Sequence, residues 1–206
     1  EPANFKLVCK FINDMKFNSI AVFHPHNQEA TEALIDDVII IDNKEFIIET
    51  LSRIGWSKDN HENLILMSTD AGGFKPLMKL CDKIGWKGET FSASKSRKLV
   101  EGKSKLTQQI DRQDFDGKDI LIIDDICVYG GTFVGLAKML KEDYGVQKAD
   151  LYVSHAVAPL NLRISPSSRF NFILEYVDQL FCYNLWSIDN NLEHQSNPKI
   201  KFKNIV

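Results

Sequence analysis

Cysteine is sparse in this chain of 206 residues: Cys9, Cys81, Cys127 and Cys182 form no Cys-x-x-Cys pair, and no histidine stands at finger spacing from them. A zinc module and a dense disulfide framework are excluded, and reducing, cytoplasmic-type conditions fit best. Long hydrophobic runs are also missing. The longest are strand-sized, such as the four residues between Asp119 and Asp124, far short of the ~18 needed to cross a bilayer, so a soluble chain without a membrane partner is expected. Charge of one sign is not in excess: 25 Lys and Arg face 28 Asp and Glu, a net charge of -3. Such a balance gives no general pull toward nucleic acid or anionic lipid. A secretory signal pattern is lacking, yet the chain opens at Glu1 rather than Met, which suggests that something upstream has been removed or left out. Internal repeats and low-complexity tracts are absent as well.

What is present is an ordinary globular composition, 44% hydrophobic and 26% charged, in a chain long enough for one large domain or a domain with an appendage. Periodicity predicts a helix over Phe5 to Met15 with a broad apolar stripe and a short buried strand at Ser19 to Phe23. A second strand is expected at Val38 to Ile41, a helix over Asn43 to Ile54 capped by its asparagine, and a strand at Asn63 to Ser68. Residues 74 to 84 resume a helical pattern, and Phe91 closes a short strand. Residues 92 to 109 show no apolar period and read as a mobile loop. Lys118 to Ile123 then reads as a buried strand, Asp124 to Gly131 as a polar turn, Thr132 to Asp143 as a helix stopped near Gly145, and Ala149 to Ser154 as the next strand. The tail from Ile200 is a candidate edge strand. Alternating strands and helices predict an α/β fold: a mostly parallel twisted sheet with helices on both faces, its ligands gathered at the carboxyl ends of the strands.

The strongest motif is Ile122-Ile-Asp-Asp-Ile-Cys-Val-Tyr-Gly-Gly-Thr-Phe133. Asp124 and Asp125, two adjacent acids ending a hydrophobic strand, are costly to bury unpaired but suited to ribose hydroxyls or a hydrated magnesium ion. Gly130, Gly131 and Thr132 then clear side chains from a helix N-terminus, where backbone N–H groups can wrap a phosphate. Asp70, before Ala-Gly-Gly, suits a sugar hydroxyl or a cation next to a tight turn. Taken alone that motif is more often only a turn former. His24-Pro-His26 follows a predicted strand, and in extended backbone both imidazoles would face one side. A basic run, Ser94-Lys-Ser-Arg-Lys98, on its own reads as a solvated surface.

The Ile122 to Phe133 stretch resembles the phosphoribosyl-diphosphate signature of type I phosphoribosyltransferases and of ribose-phosphate diphosphokinases. Ser68-Thr-Asp-Ala-Gly-Gly-Phe-Lys75 resembles the Ser-Pro-Asp-Ala-Gly-Gly segment of the diphosphokinases, also called synthetases, and favours that branch. The likeness runs over residues 1–206, read as a single phosphoribosyltransferase-like domain matching the second half of a synthetase subunit; the half that grips adenine and ATP is not in this chain. It implies that Lys95 and Arg97 close over the transferring diphosphate. Asp124 and Asp125 would hold the ribose hydroxyls, with Tyr129, Gly130, Gly131 and Thr132 around the 5-phosphate. His26 would lie at the nucleotide, and His26 with Asp70 at Mg2+, brought in with ATP. Assembly into a homo-oligomer, dimer or hexamer, is implied too. Three departures stand out: His24 replaces an Asp, Val128 replaces the third Asp of the signature, and Tyr129 replaces a Thr. The expected activity is transfer of the βγ-diphosphate of Mg-ATP to the 1-hydroxyl of ribose 5-phosphate. Its alternatives are a substituted acceptor such as ADP-ribose, a catalytically silent regulatory subunit, and a base-specific phosphoribosyltransferase.

Overall fold

A computed structural model of the chain describes residues 3–56, 61–100, 103–109, 114–157, 172–186 and 198–202; side chains of 94–100, 103–109, 184–186 and 200–202 lie outside that description. The chain divides into two compact units, Glu1–Glu45 and Phe46–Val206.

In the first unit, helix α1 (Ala3–Asp14) leads to β1 (Ile20–Phe23), α2 (Gln28–Leu34) and β2 (Val38–Ile41). The two strands pair in parallel, Ile20 opposite Val38 and Phe23 opposite Ile41. Helix α2 is too short to show a period, but its start carries a legible signal: Asn27 accepts the Ala30 N–H at 3.0 Å, a standard N-terminal cap. Two expectations are corrected. The apolar stripe of α1 is not a core face, since only Cys9 is buried while Leu7, Val8 and Phe11 are more than half exposed. Strand β1 is half-buried rather than buried, because a two-stranded sheet covers too little of either face.

Helix α3 (Lys44–Arg53) opens beside Asp42, whose carboxylate accepts the Lys44 N–H at 2.7 Å. The second unit then forms a six-stranded sheet from β3 (Leu64–Ser68), β4 (Glu89–Ser92), β7 (Asp119–Cys127), β8 (Ala149–Val157), β9 (Leu180–Trp186) and β10 (Ile200–Phe202). Its order is β10-β9-β8-β7-β3-β4, with every pair parallel. Residues Ile120 to Ile123 and Leu151 to Val153 are buried without a break, the mark of strands covered on both sides. On one face Ile65, Met67, Ile120, Ile122, Leu151 and Val153 cluster with Phe133, Leu136 and Leu140 of helix α5 (Gly131–Asp143). The other face presents Tyr152 and Tyr183, with Phe46 of α3 at 4.1 Å from the Tyr183 ring. The parallel sheet with helices on both faces is therefore as expected. Helix α4 (Ala71–Ile84) links β3 to β4, and α5 links β7 to β8.

Residues 92 to 109 correct the expectation of a loop. Strands β5 (Ser94–Val100) and β6 (Lys103–Gln109) pair antiparallel, Lys95 opposite Gln108 and Arg97 opposite Leu106. The two strands pair only with each other, and antiparallel pairing is made by the backbone, so it does not require an apolar period in the sequence. Strand β7 also outruns its expected end: it continues through Asp124 and Asp125 to Cys127, in place of the expected turn.

Candidate active site

The winding of the sheet decides where a ligand can sit. From β3 the chain moves one way to edge strand β4, then returns to place β7 on the opposite side of β3 and continues outward through β8 and β9. The reversal leaves a crevice at the carboxyl ends of β3 and β7, the place where open parallel sheets bind ligands. Asp70, Asp124 and Asp125 all come from those two ends.

Asp124 and Asp125 are half-buried. The Thr69 hydroxyl donates to Asp124 Oδ2 at 2.8 Å, and the Asp125 N–H donates to Oδ1 at 2.9 Å. Among the described residues Asp124 has no salt-bridge partner, and burial pushes its carboxyl up to about 6, with the Thr69 bond pulling the other way. A carboxylate in that state is a strong acceptor for hydroxyl groups. Beyond it the chain turns through Gly130, whose φ of +75° favours glycine, into α5. Gly130, at the cap position, makes no side-chain cap bond. A Cβ on Gly131 would meet nothing within 4 Å, so the approach to the first turn is open there. At Gly130, by contrast, a Cβ would lie 2.5 Å from Ile173 Cγ1. That glycine serves the packing of the turn, and Gly131 the opening.

Asp70 has a structural role in the fold. Its carboxylate caps α4 by accepting the Gly73 N–H at 3.0 Å, and Ala-Gly-Gly is the first helical turn rather than a separate tight turn. A Cβ on Gly72 would come within 3.2 Å of that carboxylate, so the glycine makes room for the cap. His24 has φ +37°. The backbone there is not extended, which removes the argument that His24 and His26 face one side. His26 belongs to the first unit, whereas the three acids belong to the second. The side chains of Lys95 and Arg97 lie outside the described residues. Among those described, no group of three or more His, Cys, Asp or Glu side chains gathers as a metal cage. A pair of adjacent carboxylates suits magnesium, which keeps waters and takes much of its shell from substrate phosphates.

One contributor, Thr69, has no role in the sequence reading. It stands where the similar synthetase segment has a proline, and a hydroxyl before an acidic residue is the signal that marks it.

The Phosphoribosyl transferase domain family matches residues 30–164, more than half of the chain. The chain belongs to that family. Among curated relatives, this phosphoribosyl transferase domain is 27% identical to "Ribose-phosphate pyrophosphokinase" of Marinomonas sp. (strain MWYL1), over 76% of this chain and 46% of that protein. It is 28% identical to "Ribose-phosphate pyrophosphokinase 2" of Saccharomyces cerevisiae, over 66% of this chain and 39% of that one. The chain thus spans about half the length of the curated relatives it matches. Among solved structures, the phosphoribosylpyrophosphate synthetase from Mycobacterium smegmatis aligns with a TM-score of 0.71 at 16% identity, covering 100% of this chain and 60% of that one; it shares the fold. All four cysteines are buried free thiols, with burial pushing Cys127 and Cys182 up to about 12. No helix among the described residues is long and apolar enough to cross a membrane.

Proposed function

We propose that this phosphoribosyl transferase domain transfers the βγ-diphosphate of Mg-ATP to the 1-hydroxyl of a ribose 5-phosphate group. The observation that carries the reading is the juxtaposition, at the winding reversal, of the half-buried Asp124–Asp125 pair with the glycine-opened N-terminus of α5. One part accepts hydroxyls and the other receives an anion, and a phosphorylated pentose carries both within a single small molecule. Asp124 and Asp125 bind the ribose hydroxyls, and Tyr129 to Thr132 surround the 5-phosphate. Lys95 and Arg97, presented on β5, act on the transferring group.

In the reaction the 1-hydroxyl oxygen bonds to the β-phosphorus, the bond from that phosphorus to the oxygen of the α-phosphate breaks, AMP leaves, and the hydroxyl proton passes to water. Charge builds on the phosphoryl oxygens, so cations delivered by the ribbon lower the barrier more than they tighten ground-state binding. Magnesium, brought in with ATP, would supply further neutralisation of that charge, with Asp70 as its proposed neighbour in this unit.

Incubating the protein with ATP, magnesium and ribose 5-phosphate is expected to yield AMP and a 1-diphosphate product, and Lys95→Ala to lower turnover by at least ~100-fold with little change in ribose-phosphate affinity. Equal turnover in that variant removes the role of Lys95. Absence of ribose-phosphate binding removes the whole reading.

A second reading keeps the chemistry and enlarges the acceptor. Tyr129 is 66% exposed in the turn beside the helix N-terminus, and an aromatic ring at that place suits an acceptor that carries an aromatic substituent. Side-by-side assays with ribose 5-phosphate and ADP-ribose distinguish the two, and preference for the unsubstituted sugar excludes the second.

A further inference from the structure

Thr69 is only 3% exposed, one residue beyond β3. Register accounts for its partner: Ser68 lies opposite Ile123 in the β3–β7 ladder, so the next residues, Thr69 and Asp124, meet where the winding reverses. The Thr69 hydroxyl holds Asp124 Oδ2 at 2.8 Å, while the Asp125 N–H holds Oδ1 at 2.9 Å. Two donors from two different directions, one on each oxygen, fix both the place and the plane of the carboxylate. Each carboxylate oxygen has two acceptor positions, and the Asp125 side chain lies within hydrogen-bonding reach of the same carboxylate, so the two neighbouring acids set acceptors side by side, as a vicinal pair of hydroxyls requires.

We infer that Thr69 is a positioning residue that orients the Asp124 carboxylate toward the pentose hydroxyls; the inference rests on the ribose-phosphate reading above. Valine has nearly the same shape as threonine and no hydroxyl, so Thr69→Val leaves Oδ2 without its donor and the carboxylate free to turn. Serine keeps the donor and removes only a methyl group.

The test is calorimetric titration of the full chain with ribose 5-phosphate and, separately, with ATP, both in magnesium buffer. Thr69→Val is expected to bind ribose 5-phosphate about tenfold more weakly, Thr69→Ser within about twofold of the parent, and both to bind ATP as the parent does. Parent-like sugar affinity in Thr69→Val overturns the inference, and so does an equal loss in both variants or a parallel loss of ATP affinity, which marks a merely structural role. An independent readout is the amide proton of Asp125, which donates to the same carboxylate: its resonance is expected to move in Thr69→Val and to stay in Thr69→Ser. If the parent binds no ribose 5-phosphate, the proposed function fails, and this resonance alone judges Thr69; no movement in Thr69→Val then overturns its hold on Asp124.

Discussion

Single side chains in this domain are governed by what burial does to charge. Asp150, on β8, is 3% exposed. One of its oxygens meets Lys148 Nζ at 2.8 Å, while Oδ1 has no hydrogen-bond partner. Burial pushes the carboxyl up to about 6, with Lys148 opposing and Asp178 and Asp119 adding to the rise. The native pKa lies above the unfolded value near 3.8, so the native state holds the proton more tightly. Its contribution to stability is complete below pH ~4 and is lost as pH rises through ~6. A rise from 3.8 to about 6 corresponds to about 3 kcal/mol. Asp150→Asn, which cannot ionise, is expected to flatten the fall in unfolding free energy between pH 4 and 7 by an amount of that order, measured by urea titration at each pH. A slope equal to that of the parent protein removes Asp150 as its source. Asp124 carries a similar rise from burial, but at a strand end where a ligand can exploit it. Asp124 stands in an adjacent pair before Gly-Gly-Thr and Asp150 alone, and position within the strand separates them further.

Among the elements, the turn between β7 and α5 is the most informative, because its adjacent glycines have opposite reasons to be there. Gly130 has positive φ and Ile173 close against it; Gly131 has ordinary φ and open space. Gly130→Ala is expected to destabilise the domain by about 1–3 kcal/mol, from backbone strain and overpacking. Gly131→Ala is expected to change stability by less than ~0.5 kcal/mol while weakening ribose 5-phosphate binding, because its new methyl group enters the approach to the phosphate. Thermal midpoints and titration of the two variants check this, and equal stability losses in both would show that the openness at Gly131 has no functional content. The ribbon β5–β6 belongs at this scale too. Its residues, rich in Lys, Ser and Gln, show no apolar period, and the pairing that makes them strands is a backbone contact that a local reading of side chains does not register. Strand β7 runs past its expected end for a related reason: pairing of Asp124 with Val153 and of Ile126 with His155 extends the ladder through polar residues, and cross-strand partners are invisible to a local reading.

At the scale of the molecule, the sheet of the second unit is the structural centre. Leu151 is completely buried in it, in the cluster shared with Ile122, Val153 and Leu136. Leu151→Ala is expected to cost about 2–5 kcal/mol, read as a lowered urea midpoint; a loss below ~1 kcal/mol would mean that the cluster can collapse around the gap. In the first unit the balance differs. Leu7, Val8, Phe11, Phe17 and Ile39 are all more than half exposed, so its elements follow from local pattern more than from burial.

By itself the sequence determined β3, α4, β7, α5 and β8 of the second unit and the residue pattern of its strongest motif, while the ribbon β5–β6, read as a loop, and strand β9 were not legible in it. Unbroken apolar strands, helical periods and two adjacent acids before Gly-Gly-Thr are local properties, set by backbone periodicity and side-chain chemistry. Tertiary structure alone decided which strand ends meet. Nothing local says that β7 returns to the far side of β3, yet that winding brings Thr69 to Asp124. It also gave Gly130 to Ile173 and left Gly131 open, whereas the Asp70 cap on Gly73 is a local contact. Contacts between residues 55 positions apart, such as Thr69 and Asp124, arise from how a sheet is ordered, and the free energy that orders it is spread over the whole buried core.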